Sequence, residues 1–369
     1  MSNIFRDFFV KEKPVFTGIT RGIGGFGFGA AAAGDTAAGD GSITATGGSG
    51  TFTQGGYKVH YYYTTTPGPQ STFNVTSGSG NVECFLVGSG GSGAYDSGGG
   101  GGGGACVYGT GIPVDSSMDL TVNVAAAPSR INGYNSGPNA TWSANYNGKP
   151  SNIVHPGGTI HAYGGNSGGN VGSAPYAATP FTPGVADAGN GVLGCGGGAL
   201  RSSGMGPTSL VVTAGDILGG YATPSSGTFN IYRNKGGSVP ASAAGPWISG
   251  GGGGAGGVGG DAGPRPGHPN MSSGDGGAGY DAATNITWMT TSYGDNGVFG
   301  GGGGAGANDG SPQEPGGAGG PGGGGAGTMS PEGPASPGTA NTGGGGGGVD
   351  GGDNAGAGGT GAVFIAYPV

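Results

Sequence analysis

The sequence predicts a mainly β protein with little helix, in which glycine-rich, polyproline-II-like segments stack beside ordinary strands. Three observations carry this. Glycine supplies 103 of 369 residues, against a usual share of about 7%, and helices are destabilised by that density. Only 8% of residues are charged, against about 25% in average proteins, which argues against a solvated, disordered chain. Apolar alternating segments recur between the glycine blocks and close the chain, as half-buried strands do.

Residues 1–35 are expected to form an attachment arm. Phe5, Phe8, Phe9, Phe16, Phe26 and Phe28 are six of the chain's 13 phenylalanines. So many aromatics beside so little core suit a segment that docks on another protein, with Arg21 among them. Residues 3–12 could form a short helix that stops before Pro14. The stretch Thr17-Gly18-Ile19-Thr20-Arg21-Gly22-Ile23-Gly24 matches a dehydrogenase phosphate-binding turn. That turn needs an amphipathic helix behind it, and here glycines at every second residue and a polar, turn-rich run follow instead. No cofactor site is expected.

Residues 36–69 read as a connector, with Val59–Tyr63 as a strand candidate and His60 in a packing role. Ser71–Thr76 alternates apolar and polar residues, and Ser77-Gly78-Ser79-Gly80 makes a turn. Val82–Gly88, Ala105–Tyr108 and Leu120–Val124 are further strands, with the glycine block 98–104 between the first two. Gly361–Val369 is a strongly apolar closing strand, and Cys84–Val87 is its natural partner. Inserts are expected at 131–190, 201–245 and 280–295. The first is rich in Tyr, Ser, Gly and Asn, a composition suited to adaptable recognition loops.

Glycine blocks recur at 196–198, 250–254, 300–304, 322–325 and 343–348. Ordering such a run costs about 1–2 kcal/mol per residue, so a flexible linker is the simple alternative. The recurrence, the small interspersed residues and the flanking apolar strands favour order. Polyproline II has three residues per turn, about 3.1 Å rise and no internal hydrogen bonds, so its backbone groups need neighbouring segments. A collagen triple helix is excluded, because strict glycine at every third residue is absent.

The ordered series "FNVTSGSGNVECFLVGSGGSG", "GGGGGGGACVYGTG", "LTVNVAAAPS", "GGGGGAGGVGGDAG", "ANTGGGGGG" and "GGTGAVFIAYPV" resembles the glycine-rich domain of tail-fibre and other structural proteins of bacterial viruses, especially marine ones. It spans about residues 70–369. The opening "MSNIFRDFFVKEKPVFTGITRGIGGFGFG" is similar to N-terminal segments of virion proteins in cyanobacterial viruses. The resemblance implies a non-enzymatic adhesin or fibre component with a glycine-rich sandwich and a virion-attachment arm at 1–35. It implies other virion proteins as partners, and a homo-oligomer. The chain departs from the pattern in its long inserts at 131–190 and 201–245.

Chemistry has little to work with. The four histidines offer no recognised metal spacing. Two G-G-x-G-x-D matches, at 256–261 and 276–281, lack the roughly nine-residue period of the calcium repeat. Cys84, Cys106 and Cys195 are odd in number and unevenly spaced, so buried free thiols are expected. Net charge is −8, with Arg6, Lys11, Lys13 and Arg21 near the start, so no nucleic-acid stripe is expected. No apolar run is long enough to insert in a membrane. The opening lacks a signal-peptide core, and synthesis in a host cytoplasm is expected. Tyr134, Trp142, Tyr146, Trp288 and Tyr293 are candidates for touching a host-surface glycan or protein. A purely structural decoration protein of capsid, collar or baseplate, and an ice-binding protein, are the alternatives.

Overall fold

The computed structural model describes residues 43–63, 71–95, 98–131, 146–169, 195–198, 227–239, 248–265, 268–307, 316–329, 333–351 and 353–369. The architecture is mainly β with glycine-rich stacked segments. The first sheet holds β1 (Thr44–Thr46), β4 (Ser71–Ser77), β7 (Asp119–Asn123), β8 (Ser151–His155) and β9 (Gly158–Ala162), in the order β1-β4-β7-β8-β9. The second holds β10 (Thr228–Tyr232), β6 (Cys106–Asp115), β5 (Ser79–Val87), β15 (Ala362–Pro368), β3 (Tyr57–Tyr63) and β2 (Gly50–Gln54), in the order β10-β6-β5-β15-β3-β2. Every pairing within these two sheets is antiparallel.

The two sheets face one another. Alternation sends Phe73, Val75, Leu120, Val122, Ile153 and Ile160 of the first sheet into one core with Cys84, Leu86, Ile112, Val114, Val363 and Ile365 of the second. The closing strand β15 takes the place expected beside Cys84–Val87, with Ile365 opposite Cys84 and Phe364 opposite Phe85. Its other neighbour is β3, with Ile365 opposite His60.

Three expectations are corrected here. Residues 44–54, read as part of the connector, supply β1 and β2, while β3 covers the expected strand Val59–Tyr63 and buries Val59, His60 and Tyr62. The insert 131–190 contains the hairpin β8–β9, and 201–245 contains the edge strand β10. The insert 280–295 is core. It runs through β13 (Tyr280–Asp281) and α1 (Ala282–Asn285), capped by Asp281, to β14 (Val298–Phe299). Its Ile286, Trp288 and Met289 pack on the outer face of the second sheet against Val59, Phe85 and Phe364.

The glycine segments form the third part of the body, and their hydrogen bonds repeat every three residues. Gly98, Gly101 and Gly104 donate to the carbonyls of Val349, Gly346 and Gly343. Gly99, Gly102 and Ala105 donate to Gly169, Asn166 and Tyr163, and Gly100 and Gly103 donate to Gly250 and Gly253, all at 2.7–3.3 Å. In return the carbonyls of Gly101 and Gly98 accept from Gly303 and Gly306. Those of Ala105, Gly102 and Gly99 accept from Gly88, Gly91 and Ala94, and that of Gly100 accepts from Gly198. One segment thus bonds six others. A helix of three residues per turn points its backbone groups in three directions, which gives this pattern. The segment 300–307 repeats it, bonding 98–101, 252–255, 274–277, 317–320, 322–328 and 345–348. These buried backbone groups are therefore paired although no ordinary sheet contains them.

Close approach is what requires glycine here. A Cβ on Gly102 would lie 2.2 Å from the Cys195 carbonyl oxygen, and one on Gly302 would lie 2.0 Å from that of Gly252. Alanine interrupts the runs at Ala105 and Ala305, both fully buried.

Candidate recognition surface

The hydrogen-bond registers give each segment a direction. Segment 88–94 leaves β5 and runs away from the sheets, and 98–105 returns to β6, with Gly88 bonded to Ala105 near the sheets and Ala94 bonded to Gly99 at the far end. Likewise 163–169 leaves β9, 300–307 leaves β14, and 354–361 returns to β15. The body therefore has two ends. The sandwich end receives the chain at Ile43, which is buried in the sandwich core.

At the far end Tyr95, Ile131, Ala335, Val349 and Ala355 form a separate small core, with Tyr146 packed half-buried against it. The backbone ties this cluster together: Val349 donates to Ala94, Ala355 to Ile131, and Ser92 to Tyr146. The stretches 132–145, 308–315 and 330–332 are each bounded at this end, by Ile131 and Tyr146, Ala307 and Gly316, and Met329 and Gly333. The hairpin of β11 (Gly263–Arg265) and β12 (His268–Ser272) is also here, following the outward segment 257–262.

The candidate residues divide accordingly. Tyr146 stands at the far end. Trp288, expected at the surface, is fully buried at the sandwich end. Its Nε1 donates to Glu83 Oε2 at 2.6 Å. Tyr108 donates to the same oxygen at 2.6 Å, and Tyr57 donates to Oε1 at 3.1 Å. Glu83 sits at an irregularity of register between Val82 and Cys84, a kink of the kind that re-aims a side chain. This carboxylate joins β3, β5, β6 and the 280–295 insert through three neutral donors. Burial, then Glu83, pushes the Tyr57 and Tyr108 hydroxyls above the ordinary phenol range.

Tyr293 is half-buried within an aromatic cluster on the outer face of β2 and β3. Its ring stacks on Phe52 at 4.7 Å and lies 5.1 Å from Tyr61 and 5.6 Å from Phe364. Tyr134 and Trp142 lie outside the described residues, as do Phe5, Phe8, Phe9, Phe16, Arg21, Phe26 and Phe28.

Other reactive groups serve packing. His60 is buried, with Nδ1 donating to the Gly47 carbonyl at 2.8 Å and Nε2 3.4 Å from the Tyr367 hydroxyl. Burial lowers its pKa. His155 Nδ1 accepts from the Gly157 N–H at 2.9 Å, which places the proton on Nε2, the donor to the Pro113 carbonyl at 2.8 Å. All three cysteines are buried free thiols. Burial pushes Cys84 and Cys195 up to about 12 and raises Cys106 as well. Among the described residues no three His, Cys, Asp or Glu side chains come together as a metal site, and no helix is long and apolar enough to cross a membrane. No protein-family model matches the chain, and no curated protein matches it.

Proposed function

We propose that this chain is a non-enzymatic structural protein of a bacterial virus particle, a tail-fibre or appendage component that presents its far end to the host surface. It is made in the host cytoplasm and built into the particle through the aromatic segment at 1–35. The polarity of the body supports this reading. One end of the body is the two-sheet sandwich, and the other carries the small core around Tyr95 and Ile131 with Tyr146 packed on it. A stiff body that carries a recognition end is what an adhesin requires. The glycine segments supply stiffness through backbone hydrogen bonds on all sides, without a large apolar core.

Purified protein should bind host cells or their lipopolysaccharide, and Tyr146→Ala should weaken that binding without loss of fold. Deleting residues 1–28 should release the protein from particles. Binding to virion components alone would replace host contact by a decoration role. Unchanged incorporation of the deletion variant would refute the attachment segment.

A further inference from the structure

We propose that two copies of this chain pair edge to edge through β2, in a two-fold dimer centred on Phe52. The proposal stands apart from the virion reading and needs only the geometry of one hairpin.

The strands β2 and β3 are joined by Gly55 and Gly56, with φ of 59° and 80°. Two central residues with positive φ make the tight two-residue turn that closes hairpins. Gln54 lies opposite Tyr57, so these two exchange hydrogen bonds across the turn. Bonded pairs then alternate along an antiparallel ladder, which makes Phe52–Val59 and Gly50–Tyr61 the next ones. The carbonyl of Tyr61 does face β2, accepting from Ser49 at 2.8 Å. The N–H and C=O groups of Thr51 and Thr53 therefore point away from the sheet. Both residues are exposed, and β2 is the edge of the six-stranded sheet.

Protected edges carry Pro, Lys or an inward charge. The five residues Gly-Thr-Phe-Thr-Gln carry none of these. The outward row is instead self-complementary. A two-fold axis through Phe52 sets Thr51 opposite Thr53 of the second copy and Thr53 opposite its Thr51, so the four outward groups of each strand find partners. Identical residues on both sides of the centre are what an isologous interface requires, and opposed threonines are a favourable cross-strand pair. Phe52 meets its own copy as a non-bonded pair on the outer face. There it is already stacked on Tyr293, so the two half-buried aromatic clusters become one.

Sedimentation and light scattering on the full chain are expected to show a dimer. Thr53→Pro removes an outward N–H and no internal bond, a substitution that edge strands accept. It should give a folded monomer with the circular dichroism spectrum of the wild type and a melting temperature that no longer depends on protein concentration. Phe52→Cys supplies an independent reading. Non-bonded antiparallel pairs have Cα atoms about 4.5 Å apart, within the disulfide range of about 4.4–6.8 Å. The native thiols are buried. In the Phe52→Cys variant diamide should therefore oxidise the two introduced thiols, one from each copy, to a single intermolecular disulfide, itself taking up the two hydrogens. A wild-type monomer, a trimer, or a dimer that survives Thr53→Pro and is not cross-linked in the Phe52→Cys variant would each overturn the proposal.

Discussion

At Gly302 the place of a side chain is already occupied by the neighbouring backbone. A Cβ there would stand 2.0 Å from the Gly252 carbonyl oxygen, and that oxygen cannot move without breaking its own lattice of bonds. Gly302→Ala, and Gly102→Ala by the same geometry, should each cost about 3 kcal/mol or more, at the upper end of overpacking effects. Gly263 has open space at its Cβ position, and Gly263→Ala should change the urea midpoint little. Equal effects at the two kinds of site would mean that close approach is not what selects glycine. His60 offers a second test at this scale. Burial is the main cause of its lowered pKa, opposed in part by the Gly47 carbonyl, and His161 is lowered by burial too. The unfolded chain, with histidine near about 6.5, then binds more protons than the folded one just below that pH. Stability is thus fully present above about 6.5 and declines as pH falls from there toward the folded values. The urea midpoint should be lower at pH 5 than at pH 7.5, and His60→Gln should reduce the difference.

Among the elements, β15 lies inside the six-stranded sheet, between strands that are far from it in sequence. It pairs with β5 on one side and β3 on the other, and Ala362 through Tyr367 are all buried. A chain ending at Gly361 would leave β5 and β3 each unpaired along one edge and both cores open. It should not yield folded soluble protein, whereas removal of Val369, which is 69% exposed, should have little effect. Circular dichroism of the two truncations decides this. The sequence announced β15, β4 and β5 because their alternation is strong and local. It concealed β1, β2, β8 and β10, which are three to five residues long and stand in stretches rich in Ser, Thr, Asn and Gly, so that the surrounding composition reads as loop. Trp288 looked like a surface aromatic because its insert has one four-residue helix and no apolar period. It is buried among Val59, Phe85 and Phe364 and bonded to Glu83, 205 residues earlier, and no local pattern records that. The stacking of glycine segments was legible in kind, through recurrence and the small residues between, but not in detail. One glycine block looks like another, so nothing in the residues themselves says that Gly101 should meet Gly346 rather than Gly253.

For the molecule as a whole, the six-neighbour arrangement has a consequence for unfolding. Segment 98–105 bonds to residues between 88 and 349, and 300–307 bonds to residues between 98 and 348. Withdrawing either leaves unpaired backbone groups on six others, each a desolvated donor or acceptor worth about 1–3 kcal/mol. Sheets and stack also share chain directly at Val87–Gly88, Ala105–Cys106 and Gly361–Ala362. No small part can therefore open at low cost, and independent local units of the kind common in large proteins are not expected within this body. The cysteines report on this from separate places. Cys84 lies in the core between the sheets, while Cys106 and Cys195 lie where the second sheet meets the glycine segments. With burial holding Cys84 and Cys195 up to about 12, none should react with a disulfide reagent at pH 8 in the native state. On titration with guanidinium all three should become reactive in one transition, coincident with loss of the circular dichroism signal. If Cys195 reacted at lower denaturant than Cys84, the glycine stack would be opening while the sandwich stood, and the two would be separate folding units joined only by the chain.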